Sequence, residues 1–276
     1  MDEKQLKNMR KRKLSYIFLV SLLVVGMIMP DSVSASEPRG KKKRNKELRI
    51  EWSQTKMDST WNPASENAAS LIIKRYKPSV DSLDMVVGHT KKELRKNAPE
   101  SPLSNLAADI VLIISDNYLT SKQLGHVDLA LTNFGGIRTD IKEGAVTVSD
   151  IFSVFPFDNR LVVIDIRGKY IKEIVESFIK DSRMEVLSGV KLIIHKDKSY
   201  SLKIGGQPVE DEKIYKLATI DFMLNGGDKV YALQKCESVV ETNIVMRDAV
   251  IRYFKDKESA GELVDSDCDG RVVIEE

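Results

Sequence analysis

The chain has 276 residues, with 43 Lys and Arg against 41 Asp and Glu and a net charge of +2. That length holds one large domain with a real core, and the balanced charge offers nothing that favours nucleic acid. The two cysteines, Cys236 and Cys268, form no Cys-x-x-Cys, which leaves a thiolate zinc site or a thioredoxin-type redox pair without support; a disulfide between them stays open.

Residues 1–12 are polar and basic, residues 14–29 are an almost unbroken apolar run, and Val33-Ser34-Ala35 supplies small residues of the cleavage type. That order reads as a secretory signal peptide over residues 1–35 and a secreted or periplasmic product. The apolar run is short for a bilayer span of ~20 residues; an uncleaved N-terminal membrane anchor is the alternative. No cysteine follows the run, so a lipid-modified cysteine is excluded there. Cleavage would remove six Lys and Arg and three Asp and Glu, leaving 241 residues with a net charge of −1. Residues 36–46 are charged and read as disordered, with Lys41-Lys42-Lys43-Arg44 a solvated linker rather than a polyanion site. Residues 47–276 read as one domain.

Residues 48–52 alternate as a strand does. Residues 63–66 open a helical pattern in which Ala69, Ile72, Ile73 and Tyr76 share a face, bent at Pro78 and running to Leu83; a short strand follows over 84–88. Residues 102–118 give the clearest helix, with Pro102 in its first turn and Leu103, Leu106, Ala107, Ile110, Ile113 and Ile114 as its stripe. A buried strand is expected at 127–131, and a short helix at 150–154 capped by Ser149. A strand at 161–166 turns at Arg167-Gly168 into an amphipathic helix, 169–179, with Ile171, Ile174, Val175 and Phe178 inward. Residues 190–195 and 201–204 suit a hairpin, 215–220 a strand, 243–254 the last helix and 271–274 a closing strand. Strands and helices mix without strict alternation, which predicts an α+β (mixed α/β) fold with packed helices on a mixed, largely antiparallel sheet.

The chemistry is first defined by what is missing. A two-metal phosphoesterase needs imidazoles and carboxylates converging on ions ~3.5–4 Å apart. The chain has only His89, His126 and His195, far apart and outside any metal-ligand spacing, so all three read as structural or surface residues. There is no Gly-x-Ser-x-Gly elbow and no P-loop. Asp265-Ser266-Asp267-Cys268-Asp269-Gly270 has calcium-loop spacing, but residues 271–274 read as a strand where an EF-hand needs a helix, which makes an acidic turn the preferred reading.

Three segments stand out against that background. Leu131-Thr132-Asn133-Phe134-Gly135-Gly136-Ile137-Arg138 is an apolar strand running into a glycine turn that ends on an arginine, and Phe222-Met223-Leu224-Asn225-Gly226-Gly227-Asp228 is a second such loop; Phe155-Pro156-Phe157-Asp158-Asn159 lies between. Arginine offers a planar fork of donors that suits phosphate, though Asp140 is an equally ordinary partner for Arg138. Phe157 and Phe222 suit the two faces of a base, unless both are core. Asp228 suits the vicinal hydroxyls of a ribose, unless Gly-Gly-Asp is merely a turn.

Together with Glu100-Ser101-Pro102-Leu103-Ser104-Asn105-Leu106-Ala107-Ala108-Asp109, Val146-Thr147-Val148-Ser149-Asp150-Ile151-Phe152, Ser188-Gly189-Val190 and Ala218-Thr219-Ile220-Asp221-Phe222, these segments follow one another in a known order. From about Ser65 to Phe254 the chain resembles the C-terminal, substrate-binding domain of the secreted 5'-nucleotidase family, which includes UDP-sugar hydrolases and 2',3'-cyclic phosphodiesterases. The resemblance implies that Phe157 and Phe222 clamp the base, Arg138 faces the phosphate, Asp228 binds the ribose, Asn133 and Asn159 make polar contacts and Gly189 lines the site with backbone. The family's one or two arginines near the segment equivalent to residues 100–105 are missing, since residues 97–102 contain none, and Phe134 replaces a common glycine. Weaker phosphate binding follows, and a nucleoside joins the nucleotide as ligand. Full-length members carry a metallophosphatase domain with two ions; the 29 residues between leader and matching region hold no such domain. The resemblance therefore implies a nucleotide- or nucleoside-binding domain without catalytic residues, metal or cofactor of its own. It would act in nucleotide catabolism with a separately encoded metallophosphatase that holds the divalent ions. The rivals are a stand-alone phosphoester hydrolase and a non-catalytic interaction protein that kept the fold.

Overall fold

The computed structural model describes residues 68–275; the leader, the charged segment and the strand expected at 48–52 lie outside the described residues. The elements in order are α1 (Ala68–Asp81), β1 (Val86–Thr90), α2 (Pro102–Ser121), β2 (Leu129–Thr132), β3 (Gly144–Thr147), α3 (Val148–Val154), β4 (Arg160–Arg167), α4 (Gly168–Lys180), β5 (Val186–Ser188), β6 (Val190–Ile194), β7 (Tyr200–Ile204), β8 (Gln207–Pro208), β9 (Ile214–Ile220), α5 (Asp221–Leu224), β10 (Ser238–Val245), α6 (Met246–Ser259) and β11 (Val272–Ile274). Among the described residues they form three sheets: the pair β1-β3, a five-stranded sheet ordered β10-β4-β9-β2-β5, and a four-stranded sheet ordered β11-β6-β7-β8. In the five-stranded sheet β2 and β9 run parallel and the other neighbours antiparallel. This is the mixed α+β architecture expected.

The five-stranded sheet is the frame of the molecule. Leu161, Val162, Val163 and Ile164 of β4 are buried in succession rather than alternately, because both faces of this inner strand are covered. α4 follows β4 directly and lays Ile171, Ile174, Val175 and Phe178 inward, as its spacing predicts. Burying a side chain such as Phe178 contributes roughly 1.5–3 kcal/mol. α2 starts from a capping box in which Ser101 and Ser104 exchange hydrogen bonds, with Pro102 at its head. Its buried stripe keeps Leu103, Leu106, Ala107, Ile110 and Ile114 but is wider than expected on one side: Val111 and Ser115 also face inward, while Ile113 is exposed. A helix packed against both β2 and β5 buries a wider arc than a three-four stripe describes.

Three expectations are corrected. The short helix is capped by Thr147, whose hydroxyl accepts from the Asp150 amide, and it begins at Val148 rather than after Ser149. Residues 243–245 belong to β10, not to the last helix; a register shift between Glu241 and Val245 hides the alternation that would mark a strand. In α1 Ile72 and Tyr76 lie exposed and Ser70 is buried. Periodicity says which residues share a face, not whether another element covers it.

A candidate ligand cleft at one end of the five-stranded sheet

β2 and β9 are parallel neighbours, so their C-terminal ends open at the same edge of the sheet. β2 leads into Asn133 and a 3-10 turn, Phe134–Gly136; β9 leads into α5 and then the Gly226–Asp228 turn. β4 and β5 run against them, which brings the residues before those strands, 157–159 and 183–185, to that edge too. Asp221 ties the groups together: one carboxylate oxygen accepts from the amides of Arg160 and Phe222. Thr132, Asn133, Gly136, Phe155, Phe157, Asn159 and Met246 line a shallow depression there with room for about one water molecule, and Phe222, Arg138 and Asp228 stand outside its walls on the same edge.

The two aromatic candidates are neither sealed in the core nor free on the surface, at 48% exposure for Phe157 and 42% for Phe222. Phe222 lies over Gly227, where an added Cβ would fall 2.4 Å from the ring. Phe157 has the Arg138 guanidinium 6.0 Å from its centroid; Arg138 spends one N–H on the Gly135 carbonyl and is otherwise open to solvent. Asn133 is 7% exposed and donates from Nδ2 to Asp228 Oδ2 at 2.9 Å, which joins the two glycine loops. A carboxylate only accepts, so this bond fixes the amide orientation. The amide oxygen is thereby turned to a buried position without a hydrogen-bond partner. It packs where a Cβ on Gly136 would stand 2.4 Å away, so a side chain there would displace the Asn133 amide. Asp228 itself has φ 50°, an uncommon conformation for a residue with a side chain.

Gly189 does not join the set. It packs against the Asp128 carbonyl and Leu129 Cα, at the start of β2, whereas Asn133 follows its end, roughly 13 Å away at the rise of a strand. Its φ of +76° and the 2.5 Å approach a Cβ would make to the Asp128 oxygen explain the glycine without any ligand.

Several residues of this edge were not foreseen. Glu185 is 3% exposed and accepts the Phe134 amide at 2.7 Å. Burial pushes its carboxyl up to about 7 and the Asp228 charge adds to the rise, while the Phe134 amide, Arg183 and Lys96 pull against it. Arg183 lies between Glu185, with Nε 3.3 Å from Oε1, and Asp228, whose backbone carbonyl it also binds. Lys96 covers the Phe134 ring at 4.2 Å, and burial and the nearby Arg138 hold its ammonium below the ordinary lysine value. Arg247, 11% exposed, pairs with Asp158, donates to the Pro156 carbonyl and stacks on Phe152, so it clamps the loop that carries Phe157 to α6. Arg183-Met184-Glu185 follows the polar stretch Lys180-Asp181-Ser182, so nothing local in the sequence marks either charge as a site residue.

The histidines are elsewhere: His89 is paired with Glu258, His126 with Asp116 and His195 with Glu275. Among the described residues no group of three His, Cys, Asp or Glu is placed to hold a metal ion. The acidic turn spends Asp265 and Asp267 on Lys91 and Lys92 and Asp269 on Arg271, then enters β11. Cys236 and Cys268 are both free. What the edge can do chemically is hold a flat ring beside hydrogen-bonding groups and a cation.

This architecture is shared with the nucleotidases: it superposes on the 5'-nucleotidase precursor of Thermus thermophilus with a TM-score of 0.63 and 24% identity, covering 75% of this chain and 43% of that one. The chain belongs to the 5'-nucleotidase C-terminal domain family, whose model matches residues 86–235, more than half of its length. Its relatives include UshA of Escherichia coli, 30% identical over 135 residues, 46% of this chain. The cell wall protein Lmo0130 of Listeria monocytogenes is 28% identical over 190 residues, 63% of this chain. The match spans 24% of each of those two relatives, so the chain corresponds to about a quarter of their length.

Proposed function

We propose that the chain holds a nucleoside or nucleotide at this cleft, with Phe157 and Phe222 on the base, Asp228 and Asn133 on the ribose, Asn159 as a further polar contact and Arg138 toward the phosphate. The observation that carries this reading is the Asn133–Asp228 hydrogen bond, which joins the two glycine loops while both rings stay open. Asp228 keeps lone pairs for vicinal hydroxyls after accepting that bond. The unpartnered Asn133 oxygen is an acceptor in need of a donor. Lys96 adds a second cation near Arg138, which supports a nucleotide beside a nucleoside. In this reading hydrolysis belongs to a separately encoded metallophosphatase that receives the ligand; the family's name, a C-terminal domain of 5'-nucleotidases, supports a link to such an enzyme and leaves its separate encoding to the test. The basic and then apolar order of residues 1–35, read as a signal peptide, together with a relative named for the cell wall, supports export.

The test is calorimetric titration of the purified protein with adenosine, AMP and a UDP-sugar, with and without divalent metal, while released phosphate is assayed. Binding without phosphate release is expected. Phe157→Ala and Phe222→Ala should each weaken it roughly 5- to 150-fold, the equivalent of ~1–3 kcal/mol of base stacking per ring. Metal-dependent phosphate release by the chain alone would replace this reading with a stand-alone hydrolase, and no binding of any of the three with an interaction protein.

A further inference from the structure

Arg183 is shared by two carboxylates. Its Nε stands 3.3 Å from Glu185 Oε1 without hydrogen-bond alignment, its Nη1 stands 3.9 Å from Asp228 Oδ1, and its Nη2 is already held by the Asp228 backbone carbonyl. Neither contact is the bidentate fork that a committed arginine–carboxylate pair forms. Asp228 Oδ2 is taken by Asn133, so Oδ1 is the oxygen left for a ligand, and Arg183 is the cation that competes for it. The second anion beside Arg183 is Glu185.

We infer that Glu185 is a positioning residue that makes ligand binding at this edge depend on pH: as a carboxylate it keeps Arg183 from closing from 3.9 Å onto the Asp228 carboxylate and holds the Asn133–Gly136 turn through the Phe134 amide. The inference rests on the nucleoside-binding reading of the same cleft. The groups facing Glu185 come from every element packed against it: Arg183 beside β5, the Phe134 amide after β2, Asp228 after α5, and Lys96 ahead of α2. Protonation removes the anion that balances Arg183. The guanidinium then swings onto Asp228 Oδ1 and occupies the acceptor that a ribose hydroxyl needs, and the bond to Phe134 weakens as its acceptor loses charge. The carboxyl titrates at about 7 because it is buried beside a second acid, so the change falls within the neutral range. Ligand that prefers the ionised form makes affinity rise with pH, by at most one decade per unit for a single proton.

Adenosine is the probe, because it carries no group that titrates between about pH 5.5 and 8.5. Its affinity for the wild-type protein, measured by calorimetry across that range, should fall about 3- to 10-fold on acidification. Glu185→Gln keeps an oxygen for the Phe134 amide but cannot ionise; its profile should be flat and its affinity close to the low-pH wild-type value. Arg183→Gln removes the competing cation and should also flatten the profile, but with no weakening at low pH. A residue that served only to hold the fold would lower affinity equally at all pH values. A wild-type affinity independent of pH, or a Glu185→Gln variant that keeps the wild-type slope, overturns the inference and leaves the binding reading intact. Absence of adenosine binding at every pH overturns both.

Discussion

Asn133 sits where a single atom decides between a turn and a site. Its amide bridges two loops by donating to Asp228, and its other end is the buried oxygen that lacks a donor. Asn133→Asp keeps the shape and replaces the donor with a second carboxylate at hydrogen-bond distance from the first. Two acids so placed cannot both ionise. Nucleoside affinity should drop at least about tenfold at pH 8 and recover in part on acidification, when the pair shares one proton. Wild-type affinity in this variant, read by the same titration, would remove Asn133 from the ligand. The glycine loops, the rings, Arg138 and Asp228 stand out through local features (an apolar strand, a glycine pair, an aromatic at a loop mouth), but each is weak alone, and the roles proposed for them come from the family resemblance. Glu185 and Arg183 do not stand out, since the partners that give them meaning lie 51 and 45 residues away. Gly189 was misplaced for the reciprocal reason: a Ser-Gly pair after a strand looks the same at either end of a sheet.

Elements with strong local signals match their expected positions. α4 has its apolar face and α2 its proline at the head, and the hairpin of β6 and β7 pairs antiparallel where expected. Elements set by partners do not: β10 is held by β4 across a register shift, and the exposed face of α1 is a fact about its surroundings. The α2 start is also testable alone. Ser101 is 2% exposed, its hydroxyl accepts the Ser104 amide and the Ser104 hydroxyl accepts the Ser101 amide in return. Ser101→Ala leaves a buried amide at the first turn with no acceptor, which costs about 1–2 kcal/mol. In a domain of this size that lowers Tm by roughly 2–8 °C, readable by calorimetry. An unchanged Tm would mean that Pro102 and the burial around it set the helix start without the box.

At the scale of the molecule, the acid that tunes the cleft also charges the fold. In the unfolded chain Glu185 titrates near the ordinary glutamate value of 4.5, and in the folded chain at about 7. A carboxyl whose folded value is raised binds its proton more tightly when native. Its stabilisation is full below the unfolded value and is lost as pH climbs through the folded one. Other carboxyls work in the opposite sense: Asp165, held low by Lys216 and Ser238 in spite of burial, and Asp269, held low by Arg271, stabilise until pH falls toward their own folded values. The two trends place maximal stability on the acid side of neutral. Between about pH 5 and pH 8 the loss from Glu185 alone is on the order of 2–3 kcal/mol. Urea midpoints measured across that interval should therefore decline with rising pH in the wild type, and Glu185→Gln should remove most of the decline. A flat wild-type profile would show that the native carboxyl titrates no differently from the unfolded one. If the decline is found, the protein is least stable in the pH range where Glu185 is ionised and the cleft is set to bind, which is what a fold strained for its ligand predicts. Saturating adenosine should then raise the midpoint more at pH 8 than at pH 6, because binding and ionisation of Glu185 favour the same state.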